Sequence, residues 1–223
     1  MPVLQTGLAK SGAEAYTIDQ SLRFEDGDSA YLSRTFGAGN RKTWTFSAWV
    51  KYTPGTYQVV FGTGTITTGT TGGTIYFEDN GRLYIWDPGN GTSKLTTQVF
   101  RDPSAWYHIV CVMDATNTVA RIYVNGDEVT AFTSDVNPSN ADGNCNAAGV
   151  HTIGMDTTTS TLFYNNYLAE VYFIDGTALD ASSFGETNSA TNQWVPIEVT
   201  GMTYGTNGFY QKYGGTELAD SFT

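Results

Sequence analysis

The sequence predicts an all-β fold: a two-sheet antiparallel sandwich of the jelly-roll type with about a dozen short strands. Short segments rich in β-branched and aromatic residues recur at roughly ten-residue spacing, turn residues separate them, and no segment keeps a helical period over three turns. Sandwiches of about 200–250 residues commonly form one unit. The 223 residues therefore predict one domain over residues 1–223, with a core over 15–176 and a closing segment over 177–223.

In the first half of the chain, alternation and turn residues define the strands. Residues 43–51 place Trp44, Phe46, Ala48 and Val50 on one face, as expected of a central strand. The stretch 63–74 consists of Gly and Thr apart from Ile66 and predicts an exposed mobile loop. The Asp-Asn-Gly sequence at 79–81 predicts a hairpin turn. The strands predicted here are 21–24, 30–33, 43–51, 57–61, 75–77, 83–86 and 95–100.

The second half begins with the clearest unit, a β-meander. Strands are predicted at 106–113, 119–124 and 128–131, joined by tight turns. A polar loop over 134–148 and strands at 150–155 and 167–174 follow. Asp180 is placed to cap a one-turn helix, and a turn over 204–208 leads into a last short strand.

Charge and composition exclude several partners. The 11 basic and 22 acidic residues give 11 − 22 = −11, which repels phosphate backbones, so nucleic acid is not expected to bind. No secretory signal and no membrane span is recognised, and synthesis in the cytoplasm is expected. Cys111 and Cys145 lack a metal-binding spacing and are expected to be free thiols.

Five segments in order resemble the laminin G-like and concanavalin A-like jelly rolls found in lectins, pentraxin relatives and glucanases. This family implies a binding surface on a non-catalytic jelly roll. The segments are SLRF at 21–24 with its acidic turn and Tyr31-Leu32, TWTFSAWV at 43–50, WYHIV at 106–110 with Asp114, IYVNG at 122–126 and LAEVY at 168–172.

A narrower resemblance is to versions of this domain in structural proteins of tailed bacteriophages. It is carried by residues 22–50 together with 192–196 and 204–210. It implies a virion component, a tail or head fibre or a capsid decoration protein, with virion proteins and cell-surface glycan as partners. The alternative is a lectin or adhesin module outside a virion, and a glycan hydrolase is a disfavoured third. A homo-oligomer is left open.

Catalytic chemistry is not expected. Glucanases of this fold carry Glu-x-Asp-x-x-Glu on one strand, and this sequence has no such pattern. Glu170 and Asp175 are five positions apart, and an odd separation puts two side chains on opposite faces of a regular strand. His108 and His151 lie inside apolar strands, where a hydrogen-bonded structural role is expected.

Calcium is the one cofactor that the resemblance implies, since jelly-roll lectins often hold it with carboxylates at the rim. The candidate ligands are Asp26 and Asp28, with Asp114 and Asp127 as remote partners; Glu25 and Asn125 adjoin them. The alternative is that all of these are acidic hairpin turns.

Sugar rings stack on flat aromatic side chains while amides and carboxylates bind their hydroxyls. Tyr84 and Trp86 alternate with apolar residues and are followed by Asp87 and Asn90. These four residues are the candidate ligand site. The alternative is that Trp86 only covers an edge of the sandwich.

Overall fold

The protein was analysed as a computed structural model that describes residues 16–64, 72–157 and 161–214. Short 3₁₀ turns at Asp26–Asp28, Ala115–Asn117 and Ala181–Ser183 are the only helical elements in these ranges. None of the described helices is long and apolar enough to cross a membrane. The strands are β1 (Leu22–Arg23), β2 (Leu32–Phe36), β3 (Thr43–Val50), β4 (Gln58–Gly64), β5 (Gly72–Phe77), β6 (Arg82–Asp87), β7 (Thr92–Val99), β8 (Tyr107–Asp114), β9 (Val119–Val124), β10 (Asp127–Glu128), β11 (Phe132–Val136), β12 (Gly149–Ile153), β13 (Tyr167–Asp175), β14 (Gly185–Thr187), β15 (Trp194–Pro196) and β16 (Phe209–Gln211).

Two large antiparallel sheets form the sandwich. The first has the order β1-β13-β3-β8-β9-β10, with β16 also paired to β13. The second has the order β11-β7-β6-β5-β4-β12-β2, and β14 and β15 form a separate hairpin. The predicted all-β sandwich is confirmed, with more strands than the dozen expected because several are only two or three residues long.

The main core lies between the two sheets and is rich in aromatic side chains. Trp44, Phe46, Ala48 and Val50 point into it, each at most 1% exposed, so the predicted central strand is confirmed. The Phe46 ring stacks on Phe61 from the second sheet at a centroid distance of 5.1 Å. Burial of such rings is a dominant stabilising term in a sandwich of this size.

A β-bulge in β13 sets the direction of its side chains. Leu168 and Val171 both contact the main core although they are three residues apart. The pairing with β3 shifts between Ala169 and Tyr172, and Glu170 has φ +48°, so the extra residue is absorbed there. As a result, the Glu170 side chain points to the outer face, where it bonds to Tyr172.

The outer face of the first sheet is also buried, because the chain after β13 folds back over it. Val110, Val112, Tyr172 and Ile174 form a second apolar cluster on this face, and each is at most 3% exposed. Phe209 of β16 also enters the main core. The side chains that cover the second cluster are Leu179, Ala181, Phe184, Trp194, Val199, Met202, Tyr204 and Tyr210.

Several local predictions are confirmed. The hairpin at 79–81 forms, with Gly81 at φ +85° and its N–H donating to the Glu78 carbonyl at 2.8 Å. Strands β8, β9 and β10 form the meander. Asp180 accepts a hydrogen bond from the Ser182 N–H and caps the 3₁₀ turn. Both cysteines are free and buried.

Three boundaries were wrong. Residues 63–64 and 72–74 belong to β4 and β5, because Gly62 and Thr74 pair across the two strands; residues 65–71 of the predicted loop lie outside the described residues. The strand predicted at 128–131 ends at Glu128. Residues 134–136 belong to β11, which pairs with β7 in the second sheet, so the predicted polar loop begins later.

Candidate functional site

Four aromatic side chains follow one another across the outer face of the second sheet. We call Tyr57, Tyr76, Tyr84 and Trp86 the aromatic strip. Tyr76 and Tyr84 are partners in the β5–β6 register, with ring centroids 5.1 Å apart, and Tyr57 lies 6.2 Å from Tyr76. Trp86 lies two residues beyond Tyr84 on the same face of β6. The strip therefore spans β6, β5 and the start of β4.

The alternation predicted for β6 is observed, and it leaves Tyr84 and Trp86 on the face away from the main core. Along β6, Leu83 and Ile85 are buried in the main core, whereas Tyr84 and Trp86 are half-buried on the opposite face. Tyr57 is 38% exposed. Tyr76, between Tyr57 and Tyr84, is only 5% exposed, so the strip offers aromatic surface to solvent mainly at Tyr57, Tyr84 and Trp86.

Hydroxyl groups border the strip on the side of β7. The Tyr84 hydroxyl lies 2.6 Å from Ser93 Oγ, which lies 2.6 Å from Ser134 Oγ in β11. Burial raises the pKa of Tyr76, so its phenol stays protonated at neutral pH. Rings next to hydroxyls that both donate and accept hydrogen bonds suit a ligand with apolar faces and hydroxyl edges.

Asp87 and Asn90 do not flank this surface, and this part of the prediction is corrected. Both are buried, at 1% and 2% exposure. Asp87 accepts backbone hydrogen bonds from Gly89, Asn144 and Cys145 at 2.8–3.1 Å. Desolvation raises the Asp87 pKa, and these N–H groups oppose that rise. Asn90 Oδ1 accepts from the N–H and hydroxyl of Thr92.

Asp87 therefore anchors a rim loop, and its removal should affect stability. We expect Asp87→Ala to lower the free energy of unfolding by about 2–3 kcal/mol, because buried N–H groups lose their acceptor. Asp142→Ala is the control: its side chain is 56% exposed and its ion pair with Arg41 is 3.8 Å long. It should cost less than about 0.5 kcal/mol. Urea unfolding measures both, and equal losses would contradict the anchoring role.

The candidate calcium ligands are not brought together. In residues 16–64, 72–157 and 161–214, no three His, Cys, Asp or Glu side chains are grouped so that they could hold a metal ion. Asp114 pairs with Val119 and Asp127 with Val124, at opposite ends of β9. The Asp114 carboxylate also caps the following turn by accepting from the Asn117 N–H. The prediction that Asp26, Asp28, Asp114 and Asp127 form a calcium site is therefore corrected. These four residues lie in turns or at strand ends.

The two strand carboxylates lie in different environments, as their spacing predicted. Glu170 accepts hydrogen bonds from the hydroxyls of Tyr16, Tyr172 and Tyr210 at 2.7–3.0 Å. Asp175 instead accepts at 2.6–3.1 Å from the backbone N–H groups of Asn40 and Asn207 and from the Asn146 side-chain amide. They do not form an acid and nucleophile pair.

Both histidines are held as neutral rings. The Trp194 indole N–H donates to His108 Nδ1 at 2.9 Å, so the proton is on Nε2, which lies 2.9 Å from Ser47 Oγ. Desolvation lowers the pKa of His108 to about 3. His151 stacks on Phe36, and desolvation lowers its pKa to about 4. The predicted structural role of both histidines is consistent with these contacts.

Sequence reasoning missed half of the strip. Tyr76 alternates with Ile75 and Phe77 just as Tyr84 alternates with its neighbours, so its outward direction was available from the pattern. What the pattern lacked was the register that pairs Tyr76 with Tyr84. Tyr57 precedes β4 and has no pattern of its own.

The fold and this surface define a lectin-like jelly-roll domain. A family model for laminin G-type domains, described as the concanavalin A-like lectin/glucanases superfamily, matches residues 25–183. The chain belongs to this superfamily. No match was found among curated protein sequences.

Solved structures share the fold at low identity. A candidate carbohydrate-binding protein from Bacteroides ovatus is 17% identical with a TM-score of 0.61, and the match covers 88% of this chain and 52% of that one. The heptameric SAP-like pentraxin of Limulus polyphemus is 14% identical with a TM-score of 0.53, covering 86% and 91%. NanB sialidase of Streptococcus pneumoniae is 16% identical with a TM-score of 0.51, covering 75% and 28%. The chain thus spans about half of the Bacteroides protein and little of the sialidase.

Proposed function

We propose that this domain binds carbohydrate without cleaving it, and that the aromatic strip is the binding surface. The observation that carries the proposal is the run of Tyr57, Tyr76, Tyr84 and Trp86 over three adjacent strands, next to the Ser93 and Ser134 hydroxyls. Aromatic faces stack on the C–H groups of sugar rings, and hydroxyls supply directed hydrogen bonds. The Bacteroides relative, a candidate carbohydrate binder, supports the same class of ligand.

The strip suits an extended glycan. It crosses β6, β5 and the start of β4, which lie side by side in the sheet. Adjacent strands are separated by about 4.8 Å, so three of them extend for roughly 10 Å. That length accommodates about two sugar units along the row of rings.

Trp86 is the half-buried indole of the strip, and its removal tests the site. We expect Trp86→Ala to weaken glycan binding by about tenfold, which corresponds to 1.4 kcal/mol. A glycan array identifies the ligand, and titration calorimetry with that ligand gives the dissociation constants. Tyr31→Ala is the control, since Tyr31 is 46% exposed but lies outside the strip. Unchanged affinity in Trp86→Ala would contradict the proposed site.

We propose further that the domain is displayed on a bacteriophage particle as a fibre or decoration protein. The support is the resemblance of residues 22–50, 192–196 and 204–210 to phage structural proteins, together with the net charge of −11, which suits a solvated surface. Antibodies raised against the purified chain should label intact particles in electron micrographs. Glycan binding without particle labelling would favour a lectin module outside a virion.

A hydrolytic function is tested separately. The chain should release no reducing sugar from glycans that it binds, because Glu170 and Asp175 are held in separate hydrogen-bond networks. Measurable release would overturn the non-catalytic part of the proposal.

A further inference from the structure

A second concave surface lies on the opposite side of the sandwich from the aromatic strip. It is a cleft of about 570 Å³ over the outer face of the first sheet, within the range of small-molecule sites. The segment at 16–21 forms one wall, and Val195 and Pro196 of β15 form the other. Trp49, Trp106 and Ala169 complete the lining.

The floor of the cleft follows from the pairing of β3 with β13. Trp49 and Ala169 are direct partners in the register, so an indole lies beside a methyl group. These two floor residues are largely covered, at 9% exposure for Trp49 and 1% for Ala169, so Trp106 and the walls supply most of the accessible surface of the cleft. Trp49 stacks on His108 at a centroid distance of 5.0 Å, which fixes the orientation of the indole.

Trp106 provides the second indole. It precedes β8 and is half-buried, with its ring edge-on to Tyr167 at 6.5 Å. Lys51 Nζ lies 5.4 Å from the centre of the Trp106 ring. Because Trp106 belongs to neither apolar cluster, it can be replaced without opening them.

Polar groups border the cleft on one side only. Thr17, Asp19, Gln20 and Ser21 bring hydroxyl, carboxylate and amide groups to the wall formed by the first described residues. At this wall Tyr16 donates to the buried carboxylate of Glu170 at 3.0 Å. Among the residues that line the cleft, Asp19 is the one with a charged side chain, and the Lys51 ammonium near Trp106 lies outside the lining.

We propose that this cleft is a second carbohydrate site that takes a neutral pyranoside. The half-buried Trp106 indole presents apolar surface to the ring C–H groups, with Trp49, which is 9% exposed, as part of the floor. Thr17, Gln20 and Ser21 present partners for the sugar hydroxyls. A carboxylated sugar finds a carboxylate and no cationic side chain among the residues that line the cleft. The inference extends the proposed carbohydrate binding to a different face, so that one domain engages glycan from both sides.

The test uses the whole chain and a defined set of probes. Maltose, cellobiose and lactose serve as neutral ligands and 3′-sialyllactose as the anionic one, with saturation-transfer NMR to detect contact and tryptophan fluorescence to titrate it. The variants are Trp106→Ala and Ala169→Leu, which fills the floor. Trp86→Ala reports on binding at the aromatic strip, and Tyr31→Ala, which lies outside both surfaces, is the control. Thermal unfolding verifies that each variant folds.

We expect at least one neutral disaccharide to bind, and its affinity for the cleft to fall at least tenfold in Trp106→Ala but by less than twofold in Tyr31→Ala. Two variants are used so that the test does not depend on the folding of one of them. Loss of disaccharide binding in either variant that folds supports the cleft. Binding that depends on Trp86 alone would overturn the cleft while leaving the proposed function intact. No binding of any neutral disaccharide, or tighter binding of 3′-sialyllactose, would also overturn it, whether or not the strip binds larger glycans.

Discussion

A chain that ends at Ser183, the last residue matched by the family model, is expected not to fold into a stable monomer. The second apolar cluster of the outer face would lose Phe184 and Trp194, and the main core would lose Phe209. Each large aromatic side chain contributes roughly 2–3 kcal/mol by burial, and a typical domain has only about 5–15 kcal/mol of net stability. Losing three or more of them removes most of that margin.

Polar contacts made by the same segment add to the loss. Trp194 donates to His108, and without it a buried imidazole acceptor has no partner. Asn207 bonds to Asp175, Asn146 and Gly37 at the end of β13, where both sheets meet. Buried polar groups left without partners cost about 1–3 kcal/mol each.

Size-exclusion chromatography and urea unfolding followed by tryptophan fluorescence measure the outcome. A chain that ends at Gly214 is the control, because it keeps every contact named here. We expect the control to unfold in one cooperative transition and the chain ending at Ser183 to aggregate or to show no transition. Equal stability of the two chains would show that the closing segment is dispensable.

Lowering the pH from 7 to 5 should already destabilise the protein, although carboxylates protonate only at lower pH. His108 and His151 have folded pKa values of about 3 and about 4, below the ordinary value of 6.5. Below pH 6.5 the unfolded chain takes up two protons that the folded chain does not, so stability falls as the pH falls. At about 1.4 kcal/mol per pKa unit, the two rings together cost about 4 kcal/mol between pH 7 and pH 5.

Urea unfolding at pH 7 and pH 5 measures this loss of unfolding free energy. Single His→Gln variants show how much of the loss comes from each histidine. Glutamine does not titrate, so His108→Gln and His151→Gln should each reduce the pH-dependent loss to about 2 kcal/mol, whatever they do to stability at pH 7. Asp87 acts in the opposite direction, because its raised pKa favours the folded state as the pH falls towards 4. An unchanged free energy of unfolding at pH 5 would contradict the neutral state of the buried histidines.

Local patterns predicted side-chain directions well wherever a strand has one buried face. In β6 the alternation of Leu83 and Ile85 with Tyr84 and Trp86 was sufficient, because a strand has only two faces. In β3 the inward set was predicted, but Thr45, Ser47 and Trp49 are buried as well. Thr45 is bonded to Thr177 and Leu179, more than a hundred positions away, whereas Ser47 and Trp49 contact His108 of the neighbouring strand.

The ligand and calcium predictions were limited in a similar way. Asp87 follows Trp86 in the chain, yet it is covered by the backbone of Asn144 and Cys145, which no local pattern could reveal. The separation of Asp114 from Asp127 could have been anticipated, because the two turns of a meander lie at opposite ends of the shared strand.

Local patterns alone predicted an all-β sandwich, the strands and turns of the meander, and the alternation of Leu83 and Ile85 with Tyr84 and Trp86 in β6. Alternation and turn chemistry act over a few residues, so they can be read without the fold. Only the tertiary structure decided that Tyr57 and Tyr76 join Trp86 in one strip, that Asp87 is a buried anchor, and that a cleft forms over Ala169. These depend on strand register and on contacts between distant segments, which arise when the two sheets and the closing segment pack together.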